Sequence, residues 1–254
     1  MGRRLLLLFL LLALPVNVYG TETDVKQVWN DIAADVLEFG KQENFEQAKT
    51  MLEQFSDVFP GDQGNELTST ELRIILNAQE RALRAVTSVD KAADQRIQAL
   101  TEFRLAVDAL VAEKQPMWRQ TDSKLLPLIK EMAAAIKHGD SDVYETSKQR
   151  FIGTYSIIRP AMAIDLSTET QARLDSHIAF IEQYASSDDK KLVGQLETMH
   201  DDFEKAYHST RNEDETSLLW LISSIGGMIT VTLLYVIYRK YRGEKEEKKR
   251  KQVE

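Results

Sequence analysis

The sequence predicts an all-α protein, with an extracytoplasmic bundle of about eight helices and one C-terminal transmembrane helix. Apolar residues recur every three or four positions through residues 21–216, and no run alternates apolar and polar residues for long. Glycine and proline are scarce, at 11 and 5 among 254 residues, so few positions break a helix. The run Leu218–Tyr238 has no charge and no proline, and as a helix of about 21 residues it matches the thickness of a bilayer's hydrocarbon core.

Residues 1–20 have the pattern of a secretory signal peptide. Arg3 and Arg4 precede the apolar run Leu5–Leu14, and the small residue Gly20 is the predicted cleavage position. The apolar run is too short to span a bilayer comfortably. An uncleaved anchor is the alternative, and either interpretation places the chain from Thr21 onward outside the membrane.

Residues 21–114 are predicted to form a first unit of four amphipathic helices, each with an apolar stripe at helical spacing. Capping residues and breakers indicate the helix boundaries. They are Gly40 at the end of the first helix, Asn44 before the second, Pro60–Gly64 after it, Thr68 with Glu71 as a capping box before the third, and Asp90 before the fourth.

Residues 115–216 are predicted to form a second unit of four helices, which follows a joint at Pro116. We expect these helices to begin near Asp122, Asp140, Ser167 and Ser187. Gly139 is expected to end the fifth helix of the chain, and Pro160 to break the sixth.

The two units resemble each other weakly. At an offset of 99 or 100 residues, Phe55 and Phe103 coincide with Tyr155 and Phe203. These matches predict a duplicated four-helix unit. The alternative is that amphipathic helix pairs align this well by chance.

The charges on either side of the predicted span indicate its orientation. Acidic residues precede the span and eight basic residues follow it, so the positive-inside rule places the C-terminus in the cytoplasm. Trp220 and Tyr235 suit the two membrane interfaces. The protein is therefore predicted to lie in the cell membrane as a single-pass protein, with a signal peptide at 1–20, helical units at 21–114 and 115–216, a transmembrane helix at 217–238 and a basic cytoplasmic tail at 239–254.

Charge and cysteine content exclude several classes of function. The chain carries −8, the leader +2 and the tail +4, which leaves −14 on residues 21–238. Such an acidic exterior argues against nucleic-acid binding, which needs basic patches, and is weakly compatible with basic partners or cations. The chain has no cysteine, so disulfides, thiol catalysis and zinc–thiolate sites are excluded.

The sequence contains none of the catalytic motifs that we sought. Gly-x-Ser-x-Gly, phosphate-loop and dinucleotide-binding patterns are absent. Glu197 and His200 have the spacing of half a di-metal site, but no second half-site accompanies them. We therefore predict that the protein is not an enzyme and has no catalytic, cofactor-binding or metal-binding residues.

Two segments are candidates for contact with a partner. The first is the apolar joint between the units, formed by Gln115, Pro116, Met117 and Trp118. Its tryptophan is expected either to clamp the units together or to face a partner. The second is a small-residue face of the predicted span, through which a homodimer could form, made of Ser223, Gly226 and Gly227.

Several stretches carry a family resemblance. They are Trp29, Val36–Leu37, Phe45–Lys49, Thr101–Leu110 and Gln115–Trp118. Together with the plan of leader, helical domain, single span and basic tail, they resemble the YpjB family of sporulation proteins from endospore-forming bacteria. The similarity covers about residues 24–240, and its most specific part is the run from Thr101 to Trp118. The resemblance implies a membrane protein linked to sporulation, and it supplies no catalytic motif.

These observations favour a non-enzymatic, membrane-anchored interaction protein that acts in sporulation. Its extracytoplasmic domain would bind an envelope or membrane protein or pair with itself, and the lipid bilayer would hold Leu218–Tyr238. The alternative is a cation- or ligand-binding ectodomain that serves a transporter or sensor, since helical bundles host metals between facing helices.

Overall fold

A computed structural model describes residues 22–59, 67–112, 114–183 and 189–209, together with Tyr235. These residues form eight α-helices and one 3₁₀ helix and contain no β-strand, which confirms the all-α class. In chain order the helices are α1 (Glu22–Lys41), α2 (Phe45–Val58), α3 (Ser69–Thr87), α4 (Ala93–Val111), the 3₁₀ helix (Met117–Thr121), α5 (Asp122–His138), α6 (Ser141–Asp165), α7 (Thr168–Gln183) and α8 (Asp189–His208).

Capping side chains begin the helices where the sequence places them. The Asn44 side chain accepts a hydrogen bond from the Gln47 N–H at 3.3 Å. Thr68 and Glu71 form the predicted capping box, in which each side chain accepts from the other residue's backbone N–H. Gly139 ends α5 in the left-handed conformation, with φ of 70°.

One predicted break is confirmed within a residue and another is wrong. Gly40 lies in the last turn of α1, one residue before its end at Lys41, and a Cβ there would overlap the Leu100 side chain of α4. Pro160 lies inside α6 and does not break it. The carbonyl that loses its helical partner at this proline belongs to Ser156, which is exposed, so water can bind it.

The first four helices pack around an aromatic cluster. α1 packs against α2 and α4, and α3 packs against α4. The Phe55 ring stacks on Phe59 at 4.8 Å and meets Phe103 edge to face at 4.9 Å. The Trp29 ring meets Phe59 edge to face, and its Nε1–H donates to the Val58 carbonyl at 3.2 Å.

The second set of helices is organised by α6, which packs against both α5 and α4. The Phe151 ring stacks on Tyr155 at 6.3 Å and meets Phe203 of α8 edge to face at 5.4 Å. This arrangement repeats the stacked pair and edge-to-face contact of Phe55, Phe59 and Phe103. The Tyr155 ring also meets Phe203 edge to face, at 5.6 Å, so either Phe151 or Tyr155, which the sequence offset selects, can be the counterpart of Phe55. The duplication itself stays a prediction, which this shared arrangement favours.

Residues 1–203 form one compact unit and residues 204–254 a second. The predicted domain boundary near residue 115 stays a prediction. Among the described residues, no helix combines the length and the apolar character that crossing a membrane requires. The predicted signal peptide at 1–20, and all of the predicted span except Tyr235, lie outside the described residues.

Candidate functional site

An open groove follows one face of α6. Its first part lies between α6 and the pair α3–α4 and has a volume of about 540 Å³. Its second part lies between α6, α4 and α5 and has a volume of about 820 Å³. Gln98 and Ile157 line both parts, so the two are continuous, and we name them together the α6 groove.

The two parts of the α6 groove differ in chemistry. The first part is lined mainly by polar and charged side chains, including Arg81, Arg84, Lys91, Gln95 and Glu102. The second part adds an apolar wall, made of Pro127, Leu128, Gly153 and Ile157, beside the charged residues Lys124, Glu131 and Arg150. Such a surface suits a ligand with both apolar and polar groups.

The α6 groove has an excess of positive charge on an acidic chain. Its lining holds five basic side chains and two acidic ones. Glu102 accepts from Arg81 Nε at 2.9 Å, and Arg84 pairs with Glu80. Within the part of the chain that the structure describes, Lys91 and Lys124 form no ion pair. The charge of the groove lining is thus opposite in sign to the net charge of the chain, which is weakly compatible with basic partners or cations.

Gly153 is the one glycine in the lining of the α6 groove. It lies inside a helix, where glycine costs about 1 kcal/mol relative to alanine. A Cβ at this position would meet no atom within 4 Å, and its φ is not positive. Neither packing within the described residues nor backbone conformation therefore requires glycine here.

The predicted contact segment 115–118 is largely buried. The Trp118 side chain is 0% exposed and Pro116 is buried, whereas Gln115 is exposed and Met117 is half-buried. The indole therefore offers no surface to a partner. A role of Trp118 in clamping the two units together stays a prediction, since its hydrogen-bond acceptor Asp165 lies in the same predicted unit, 115–216. Partner contact by Gln115 and Met117 stays a prediction.

Buried polar groups hold this joint in place. Asp165, near the end of α6, accepts from Trp118 Nε1 at 3.0 Å and from Arg119 at 2.7 Å. Asp108 of α4 accepts from the Met117 N–H at 2.6 Å. Arg104, one turn before Asp108, donates to Asn30 of α1 at 2.9 Å. Burial lowers the pKa of this guanidinium, although Asp108 opposes the shift. The run Thr101–Trp118 thus connects α1, α4 and α6.

A second network connects α6 to α7. Asp175 accepts two hydrogen bonds from Arg159, at 2.8 and 2.7 Å, and one from the Tyr155 hydroxyl at 2.7 Å. Burial raises the pKa of Asp175, but these hydrogen bonds and one from Gln171 outweigh it, so the pKa lies below its ordinary value. Burial and the bond to Asp175 raise the pKa of Tyr155, which therefore stays neutral.

His177 of α7, to which the sequence assigned no role, forms a buried contact with α8. His177 Nε2 lies 2.9 Å from Asp202 Oδ2, and its Nδ1 lies 2.9 Å from Gln195 Nε2. Since an amide nitrogen only donates, Nδ1 accepts and Nε2–H donates to the carboxylate. Glu197, which has the Glu-x-x-His spacing with His200 but was not predicted to bind a metal, forms an ion pair with Lys137 at 3.0 Å.

Ser223, Gly226 and Gly227 lie outside the described residues. Contact through this small-residue face stays a prediction.

Comparison with known proteins gives the family. The model for the family described as "Sporulation protein YpjB (SpoYpjB)" matches residues 27–250. The chain belongs to this family. A curated relative in Bacillus subtilis (strain 168), named "Uncharacterized protein YpjB", is 26% identical over 242 residues, which cover 92% of each chain. No solved structure matches the chain. The YpjB family is thus associated with sporulation, and neither name describes a catalytic activity.

Sequence analysis missed the α6 groove in this YpjB family member. Its basic residues come from three helices and the loop between α3 and α4 and are spaced irregularly, so no local motif marks them. The one local feature of the lining that the sequence offers is Gly153, an isolated glycine inside a helical pattern.

Proposed function

We propose that the protein is a non-enzymatic, membrane-anchored helical interaction protein that acts in sporulation. Its extracytoplasmic domain binds an envelope or membrane partner, and residues 217–238 anchor it in the bilayer with the basic tail in the cytoplasm. The family supports the link to sporulation. The uncharged run Leu218–Tyr238 supports the anchor.

The observation that carries the binding role is the α6 groove. It is open, and polar side chains such as Gln95 and Gln98 stand beside an apolar wall, as at the rim and centre of a protein interface. The ionisable networks on the described helices lie elsewhere and are occupied by internal partners. Asp165 binds Trp118 and Arg119, and His177 binds Asp202 and Gln195. These two networks therefore stabilise the fold.

Site-specific photocrosslinking in sporulating cells tests this function. A benzophenone amino acid replaces Ser156, which is exposed and lines the α6 groove. The matched control carries it at Thr198, an exposed position of α8 that is not in the groove lining.

We expect the Ser156 variant to form a discrete adduct with one membrane or envelope protein, and the Thr198 variant to form none. Equal adduct patterns at both positions, or no adduct at Ser156, would contradict partner binding through this groove.

A further inference from the structure

We infer that the α6 groove binds an acidic amphipathic segment of a partner protein, with its acidic side chains beside Lys91 and Lys124 and its apolar side chains on the wall formed by Pro127, Leu128 and Ile157. This inference rests on the proposed function and adds the chemistry of the partner. An acidic partner segment differs from the basic partners or cations with which the net charge of the chain is weakly compatible.

The first argument is electrostatic. Salt at physiological concentration screens charges beyond about 8 Å, so a bound segment responds to the side chains of the groove and not to the net charge of −8. Arg81 and Arg84 are compensated by Glu102 and Glu80. The two lysines are not, since neither Lys91 nor Lys124 has an ion pair among the described residues. Because the two lysines lie in different parts of the groove, a bound segment needs at least two separated acidic groups to pair with both.

The second argument concerns the apolar wall. Pro127 and Ile157 are not fully buried within the protein, and they face the same cleft. Covering such side chains with apolar groups of a partner removes them from water, whereas a simple anion such as phosphate leaves them wet. The occupant therefore has apolar side chains as well as acidic ones.

The third argument is Gly153. This exposed glycine weakens α6 without a described internal contact that requires it. A glycine allows another backbone to approach closely, and Gly153 lies in the groove lining beside the apolar wall. Gly194 of α8 is a matched control, because it is also exposed inside a helix and also has nothing within 4 Å of a Cβ.

Fluorescence anisotropy with defined peptides tests the inference. The full chain is placed in phosphatidylcholine nanodiscs, and the probe is a labelled peptide of four Leu-Glu-Ala-Glu repeats. The matched probe replaces every glutamate by glutamine. The protein variants are Lys91→Glu with Lys124→Glu, Gly153→Leu, and Gly194→Leu.

We expect the glutamate peptide to bind about tenfold more tightly than the glutamine peptide, since each exposed ion pair contributes a factor of a few. The preference should disappear when NaCl rises from about 0.05 M to about 0.5 M. It should also disappear in the double lysine variant, which keeps the basic tail, so that binding to the tail is distinguished from binding to the groove. Gly153→Leu should weaken binding of the glutamate peptide, and Gly194→Leu should not.

Equal affinity for the two peptides, no binding of either, or a preference that survives in the double lysine variant would overturn the inference. If Ser156 still crosslinks a partner in cells, the binding function stands and only the acidic chemistry is wrong. If Ser156 yields no adduct, the proposed function itself fails.

Discussion

Replacing Asp165 by asparagine should destabilise the protein strongly. The Asp165 side chain is 6% exposed and that of Arg119 is 14% exposed, so the substitution removes the negative charge from a largely buried ion pair. Removing one partner of a buried pair costs about 3–5 kcal/mol. Trp118 Nε1 and Arg119 donate to the same oxygen, Asp165 Oδ2, which the asparagine carbonyl oxygen can replace, so the substitution removes the charge and keeps the acceptor.

Asp175→Asn is the matched control, because Asp175 also binds an arginine through two hydrogen bonds but in a more exposed place. The side chains of Arg159 and Asp175 are 52% and 31% exposed. Such a pair contributes about 1 kcal/mol or less. Differential scanning fluorimetry of the full chain in detergent should show Tm lowered by about 6–20 °C for Asp165→Asn and by about 2–4 °C at most for Asp175→Asn. Equal shifts for the two variants would refute the assignment of Asp165 as the buried anchor of the joint.

Three further predictions follow from the described contacts. Gly40→Ala should lower Tm because the added Cβ would overlap the Leu100 side chain, at a cost of about 1–3 kcal/mol. The control Gly194→Ala should raise Tm slightly. A Gly40→Ala variant as stable as the wild type would show that the contact between α1 and Leu100 of α4 adapts freely. Thr68→Ala should cost about 1 kcal/mol through loss of the capping box, measured by chemical unfolding, and no change in stability would contradict that role. Because the pKa of Asp175 is lowered in the folded protein, the ionised carboxylate stabilises the fold above about pH 4, and this stabilisation is lost as pH falls through the folded-state pKa. The Tm of Asp175→Asn should therefore fall less steeply than that of the wild type between about pH 5 and pH 3. Parallel curves of Tm against pH would contradict the direction of the pKa shift.

The helical fold could be predicted because its signals are local. Asn44, Thr68 and Gly139 cap helices through contacts within a few residues, and such contacts can be recognised from the spacing of residue types. The continuation of α6 through Pro160 could not be predicted, because it depends on the surrounding structure, in which the carbonyl that loses its partner belongs to the exposed residue Ser156. The close approach of α4 to Gly40 could not be predicted either, since Leu100 is distant in sequence.

The candidate site could not be predicted for the same reason. The basic side chains of the groove come from separate parts of the sequence and line one groove only because α6 packs between its neighbours. They include Arg81, Lys91, Lys124 and Arg150. Trp118 could be recognised as unusual, but its partner Asp165 is 47 residues away, so only the fold shows that its indole is buried and hydrogen-bonded.

The central claim is that the α6 groove is the surface that binds the partner. The most direct test is the yield of the photoadduct at position 156 when a second substitution, Gly153→Leu or Gly194→Leu, is added. Leucine at position 153 narrows the groove beside Ser156, whereas leucine at position 194 adds the same side chain to a helix outside the groove lining. We expect Gly153→Leu to reduce the adduct to background and Gly194→Leu to leave it unchanged, at equal protein levels. An adduct yield that Gly153→Leu does not alter would contradict the claim.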